Sequence, residues 1–307
     1  MIRTSTGARP RGPQKGKTLE GPRVLVSTSA YPARSARGAA QQLVEEGFSG
    51  IELSGGIYDS QNLDALPLFA NHATLRMHNY FPSHEVPFSL NLASPLLSVR
   101  EQSISHVKRL VRLAGSLGHT EVSFHAGFLI DPRPEELGGP LSLTPVSNRR
   151  AGISRFTDSL EELNSCAEPL GVRLLVENNP FTEIHQAIFR QNPFLFVEEG
   201  EIFEILSHFG GRVQLLLDVG HLKVSATTMG FGLKEALAKL NEVTFGYHLN
   251  DNDGRADQNL GFDESAWFWD ALDTSKDYVT IEVVNPELSR LRMMWDLCRE
   301  RFAKELS

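Results

Sequence analysis

A chain of 307 residues, 41% hydrophobic and 22% charged, is long enough to bury a substantial core, and a composition this close to the globular average excludes bulk disorder and fibrous repeats. The formal charge of −8 argues against a general nucleic-acid binder, whose affinity would come from Lys and Arg on phosphates. No apolar run approaches the ~18 residues of a membrane span, so a soluble, cytoplasmic protein is expected.

In chain order, residues 1–22 are basic and rich in Gly and Pro. They lack the apolar core of a secretory signal, and a flexible tail is expected there. From residue 23 onward, short β-branched runs alternate with longer segments of helical spacing, the pattern of repeated βα units. The expected strands are RVLVSTS (23–29), SGIELSG (49–55), LRMHNY (75–80), TEVSFHA (120–126), VRLLVEN (172–178), VQLLLDV (213–219), VTFGYHL (243–249) and YVTIEVV (278–284). Amphipathic stretches lie between them, such as ARGAAQQLVEEGF, VREQSISHVKRLVRLAGSLG, RFTDSLEELNSCAEPLG, EGEIFEILSHFGG and, at the end, LSRLRMMWDLCRERFAKEL. Gly118 and Gly171 fall where a left-handed helix C-cap is expected. Cys166 and Cys298 sit far apart within helical patterns and suggest neither a disulfide framework nor a zinc motif.

Near-continuous apolar strands are those buried on both faces of a parallel sheet. Eight such units predict an α/β fold, a (β/α)8 TIM barrel forming one catalytic domain over 23–307. A doubly wound open sheet is the structural alternative, but no G-x-G-x-x-G follows the first strand.

In a barrel the functional groups converge from the C-terminal ends of the strands. Strands three to eight finish in His78, His125, Glu177, Asp218, His248 and Glu282. A lone His at such a place is more often structural, and an Asp or Glu there can cap the next helix. Recurrence at consecutive equivalent positions is harder to assign to capping. Glu177, Asp218, His248 and Glu282, three carboxylates and one imidazole, form a donor set for a divalent metal ion: Mn, Mg, Co, Fe or Zn. Such an ion would polarise a sugar carbonyl and acidify the adjacent C–H. Glu177 and Glu282, on strands roughly across the site from one another, are the expected catalytic acid–base pair.

The segments SGIELSGG, VSFHAG, LLVENN, LLLDVGH, YHLND and VTIEVV together resemble the xylose isomerase-like TIM-barrel superfamily. That group holds sugar-phosphate isomerase/epimerases, ketose 3-epimerases, hydroxypyruvate isomerase, inosose dehydratase and endonuclease IV. The resemblance implies the same metal set, with Glu177 and Glu282 doubling as acid and base. It also implies substrate contacts from His221 of D-V-G-H and from Arg255, the latter in a loop one residue longer than in ketose epimerases. His78 and His125 match the first two zinc histidines of the endonuclease, and in sugar-converting relatives such residues bind substrate. In the endonuclease a D-x-H completes the third zinc site; here Arg255 and Asp257 occupy those places.

Two long segments, 78–94 and 178–199, are expected to act as lids or binding loops. Phe81, Phe88, Phe181 and His185 would wall the pocket and contact substrate, unless these aromatic side chains pack only their own loops. The acidic NDNDG stretch would repel a phosphate. The expected function is therefore a metal-dependent isomerase or epimerase of a small sugar, polyol or keto-acid, working through an enediolate. A dehydratase of a related polyol or cyclitol is the alternative, followed by an abasic-site nuclease and a non-catalytic binding barrel. The expected partner is a small carbohydrate-like molecule, with neither nucleic acid nor membrane. Members of the resembled family often pair into dimers or tetramers, which leaves a homo-oligomer open.

Overall fold

A computed structural model describes residues 23–276 and 278–303; the tail expected at 1–22 lies outside the described residues. Eight strands form: β1 (Arg23–Ser27), β2 (Gly50–Leu53), β3 (Thr74–Met77), β4 (Glu121–His125), β5 (Arg173–Glu177), β6 (Val213–Asp218), β7 (Thr244–Leu249) and β8 (Tyr278–Ile281). All pair in parallel, in the order β3-β2-β1-β8-β7-β6-β5-β4. Between β3 and β4 the ring is closed by a bridge from His78 to Ser123 and by the Asn79 N–H donating to the Ser123 carbonyl at 2.7 Å. The expected (β/α)8 barrel forms, with each expected strand in place.

Side chains two residues apart point the same way along a strand, and this parity divides the core in two. Leu174, Val176, Leu215, Leu217, Tyr247, Leu249 and Val279 face outward and join the large cluster that includes helix residues such as Leu43, Leu160 and Trp295. Leu25, Leu175, Leu216 and Tyr278 form a separate small cluster inside the barrel. Two residues further along the same strands come Ser27, Glu177, Asp218 and Thr280, all buried. The inward face thus runs from apolar at its base to polar at its mouth.

The helices marked by apolar spacing appear as α1 (Ala36–Glu45), α3 (Leu97–Ser116), α4 (Arg149–Ala167), α6 (Glu199–Ser207) and α9 (Leu288–Arg301). Gly118 and Gly171 are left-handed, at φ 75° and 66°, as C-caps require. Four helices lie outside the expected segments: α2 (Leu66–Ala70), α5 (Glu183–Ile188), α7 (Val219–Met229) and α8 (Leu233–Leu240), of which α8 does carry an apolar stripe that buries Ala236, Leu237 and Leu240. α2 and α5 are too short to show a stripe, and α7 is buried along most of its length, so no polar face alternates with an apolar one. Among the described residues no helix is long and apolar enough to cross a membrane.

One close approach shapes the interior. A Cβ on Gly246 would sit 2.4 Å from the Tyr278 ring and 2.6 Å from the Tyr278 carbonyl oxygen, so the tyrosine lies across β7 only because position 246 has no side chain. Gly246→Ala should cost at least about 1–3 kcal/mol by overpacking, measured as a lower midpoint in chemical denaturation. An unchanged midpoint would show that β7 and β8 can separate freely.

Candidate metal centre

At the mouth of the barrel Glu177, Asp218, His248 and Glu282 each present a ligand-type atom, all within 4.8 Å of one another. Strand parity puts Glu177 and Asp218 there directly, and the His248 position follows Gly246 on the same face of β7. Glu282 lies just past β8, tied back by its N–H to the Leu249 carbonyl at 3.0 Å. The first three are fully buried, and Glu282 keeps 14% of its side chain exposed.

The environment of Glu177 bears on whether a cation fits. Its Oε1 lies 3.3 Å from His248 Nδ1 and 3.5 Å from His221 Nδ1, and its Oε2 lies 3.3 Å from His78 Nε2 and 3.6 Å from His125 Nε2. None of these approaches has hydrogen-bond geometry, so both buried oxygens lack a hydrogen-bond partner, as does His248 Nδ1. Burial would raise the Glu177 pKa, but His125, His248 and His78 hold it well below the usual carboxylate range. Unpartnered buried oxygens beside an imidazole nitrogen, with hard donors in the majority, fit a divalent cation.

Asp218 is fixed from several sides. Its Oδ1 accepts the His221 N–H at 2.7 Å, capping α7, and its Oδ2 accepts from Asn250 Nδ2 at 2.7 Å. Its main chain is clasped by the Asn178 amide, which accepts from the Asp218 N–H at 2.8 Å and donates to the Asp218 carbonyl at 3.1 Å. A carboxylate offers about four lone-pair sites, so two remain beyond these bonds. The capping and metal readings of this residue are therefore compatible. Burial pushes its pKa up to about 7, with His221 opposing and Glu177, Glu282 and Asp257 adding to the rise.

His248 is oriented from behind by Glu52, which the sequence analysis did not select. His248 Nε2 lies 3.0 and 3.2 Å from the two Glu52 oxygens, and Glu52 Oε2 also accepts from the Tyr278 hydroxyl and, at 3.1 Å, from Thr280 Oγ1. With Nε2–H committed to Glu52, Nδ1 is the nitrogen that faces Glu177 and Glu282, the latter at 2.7 Å. Burial would lower the His248 pKa, but Glu52, Glu282 and Glu177 carry it well above the usual imidazole value. A ligating histidine backed by a carboxylate is a common metal-site arrangement. The one available signal was a charged residue inside the apolar run G-I-E-L.

A cavity of about 530 Å³ reaches the quartet at Glu282. Glu282, His125, His221 and His185 line it, so the structure brings these expected residues together. His78 is buried beneath, its Nδ1 3.0 Å from Ser123 Oγ. His221 donates from Nδ1 to the Asn178 carbonyl at 2.8 Å and meets Asp257 Oδ2 through Nε2 at 3.2 Å. Burial opposes a charge on this ring, but Asp218, Asp257 and Glu177 raise its pKa well above the usual value. Arg255 is not brought in. It sits on a loop pinched by the Asp251–Leu260 bridge, 73% exposed and 3.9 Å from Glu183, while Asp257 and Asn259 of the same loop line the cavity.

Of the expected aromatic wall, Phe81 and Phe181 are buried in the core, and Phe88 packs on Tyr80, His84 and His106. Tyr80, Phe128 and Phe194 line the cavity instead, with Leu137 and Leu141 from the loop after β4.

Residues 40–294 match the family described as Xylose isomerase-like TIM barrel. An uncharacterized protein of Methanocaldococcus jannaschii is 25% identical over 171 residues, 56% of this chain and 55% of that protein; the match thus spans about half the length of that curated relative. The fold is similar to the crystal structure of a D-tagatose 3-epimerase-like protein, with a TM-score of 0.68 and 19% identity over 91% of this chain and 96% of the other. It is also similar to an AP endonuclease, family 2, from Brucella melitensis, with a TM-score of 0.60 and 17% identity over 88% and 96%. At these identities the two structures speak for the fold alone.

Two outcomes are expected of this geometry. A cation must displace the protons that Asp218 and His248 hold without it, so affinity for Mn²⁺ should rise with pH and proton release should accompany binding. Titration calorimetry at pH 6 and pH 8 in buffers of different ionisation enthalpy checks this, and equal affinities would contradict it. Glu52→Gln should weaken Mn²⁺ binding about 10- to 100-fold while the folded circular dichroism spectrum persists; unaltered affinity would make Glu52 a packing residue only.

Proposed function

The chain belongs to the xylose isomerase-like TIM barrel family, and on that premise we propose that it is a divalent-metal-dependent isomerase or epimerase of a small sugar, polyol or keto-acid, abstracting a proton through an enediolate. The observation that carries this reading is the quartet itself, four ligand-type atoms within 4.8 Å at the edge of a cavity that Glu282 lines, with Glu177 Oε1 and Oε2 lacking a hydrogen-bond partner. Three carboxylates and one imidazole suit Mn²⁺, Mg²⁺, Co²⁺, Fe²⁺ or Zn²⁺. Such an ion would polarise a substrate carbonyl and acidify the neighbouring C–H.

The chain's own groups would carry the proton. Burial opposes ionisation of Glu282, but His248 brings its pKa down to about 2, so at neutral pH it is a carboxylate at the edge of the cavity. Glu177 is the second carboxylate of the pair, ionised for the same reason. One would remove the proton and the other return it, a contribution of about 10²- to 10⁴-fold from each positioned group. His125, whose Nδ1 has no partner within the protein, would donate to or accept from a substrate hydroxyl; burial keeps its ring neutral at physiological pH by lowering its pKa to about 4. His221, held by Asn178 and Asp257, would face the same substrate. His185 has both ring nitrogens engaged, by Thr182 Oγ1 and the Gly139 carbonyl, and would bind by shape.

In deuterated water with Mn²⁺, the wild-type chain should exchange label into a ketose drawn from a panel of ketoses, and Glu177→Gln and Glu282→Gln should each cut the exchange about 100-fold or more. Undiminished exchange in both variants would sink the reading. A product lighter by one water would reassign the chain to the dehydratases, since the same proton abstraction can be followed by loss of a β-hydroxyl.

A further inference from the structure

We propose that the substrate is an uncharged sugar or polyol carrying an apolar substituent, the substituent seated against the wall built by the loops after β4 and β5. The inference rests on the sugar-converting reading of the quartet and narrows its substrate class.

The cavity wall is more apolar than polar. Phe128, Leu137, Leu141, Ile184 and Phe194, from the loops after β4 and β5, line it, while its polar residues include Glu282, His125, His221 and Asp257 at the quartet and Thr182 and His185 beside the apolar loops. Its ~530 Å³ falls within the range of about 300–1,000 Å³ that buries drug-sized ligands. An unsubstituted sugar filling it would turn hydroxyls toward the apolar wall, where they would lose water without gaining a partner, and that is unfavourable. An apolar group in the same place meets matching surface.

The wall is preformed. Phe128 and Phe194 share an antiparallel bridge, the Leu129 N–H donates to the Pro193 carbonyl at 2.7 Å, and the Leu195 N–H donates to the Gly127 carbonyl at 3.1 Å. Behind these strands Ile130, Leu141, Phe181, Phe189, Phe194 and Val197 make a second hydrophobic core separate from that of the barrel. His185 stacks edge-on against Phe194, with ring centroids 4.9 Å apart, and donates to the Gly139 carbonyl at 3.3 Å, clamping one loop to the other. A surface held this way needs little ordering when a ligand arrives.

Charge selects in the same direction. Among the described residues no Lys or Arg lines the cavity. Three carboxylates around a divalent ion leave one negative charge, and Asp257 is matched by His221. A phosphate or carboxylate would therefore meet repulsion and no cationic partner, which removes keto-acids from the substrate class.

The test is calorimetric titration of the Mn²⁺-loaded full chain with methyl, hexyl and phenyl β-D-glucoside and with glucose 6-phosphate. Hexyl and phenyl glucoside should bind at least about tenfold more tightly than methyl glucoside, since each buried methylene is worth about fourfold. The phosphate should bind no better than methyl glucoside. The advantage of hexyl and phenyl over methyl glucoside, each measured in the same variant, should vanish in Leu137→Ser/Ile184→Ser, whose sites are partly exposed and outside the barrel core. Equal affinities for the three glucosides, or tightest binding of the phosphate, would overturn the proposal. Repeating the series with EDTA separates the two layers. A preference for apolar substituents that survives with no effect of metal on any probe supports the wall and removes the metal reading; metal-dependent binding without that preference overturns the wall alone.

Discussion

The structure turns on the cost of holding like charges together out of water. Glu177, Asp218 and Glu282 converge at the barrel mouth with Glu52 one layer behind, and all but Glu282 are fully buried. Carboxylates this close raise one another's pKa unless positive charge stands between them. The protein supplies that charge partly through His248 and His221, both of which their carboxylate neighbours hold well above the ordinary imidazole pKa. Carboxylates gathered with histidines in this way suit a cation, as do the unpartnered oxygens of Glu177.

Much of the surrounding structure serves to keep these groups where they are. Asn178 clasps the main chain of Asp218, Asn250 takes one of its oxygens, and the first turn of α7 takes the other. Gly220 makes this possible, since a Cβ there would fall 1.8 Å from the Asn250 oxygen. The glycine in D-V-G-H thus belongs to the packing of the asparagine in H-L-N-D, which gives the two motifs a shared physical reason. Tyr278 and Thr280 do for Glu52 what the asparagines do for Asp218, and burial together with Glu52 keeps the tyrosine hydroxyl protonated as a donor. Side chains fixed by neighbours in this way hold a site to a narrower geometry than loops alone would.

The loops divide the labour differently from the barrel. The strand ends supply charged and hydrogen-bonding groups, and the segments after β4 and β5 supply an apolar wall with its own small core. Asn91, from the loop after β3, accepts from the Phe128 N–H at 2.9 Å and donates to Ile130 and Asp131, so three consecutive loops are fastened together.

By itself the sequence determined what depends on local period. Short β-branched apolar runs between helical segments marked the eight barrel strands, and the polar residue ending each of six strands marked the quartet with His78 and His125, because these patterns lie within single segments and need no partner. The amphipathic helices were legible for the same reason, whereas α7, buried on most sides, left no stripe to see. Tertiary structure alone decided what depends on closure of the ring. Glu52 meets His248 across 196 residues, Asp257 turns toward His221 while Arg255 two residues earlier turns to solvent, and Phe128 and Phe194 line the cavity in place of Phe81, Phe88 and Phe181. Such contacts arise between segments that carry no periodic trace of one another, and only the packed barrel brings them within reach.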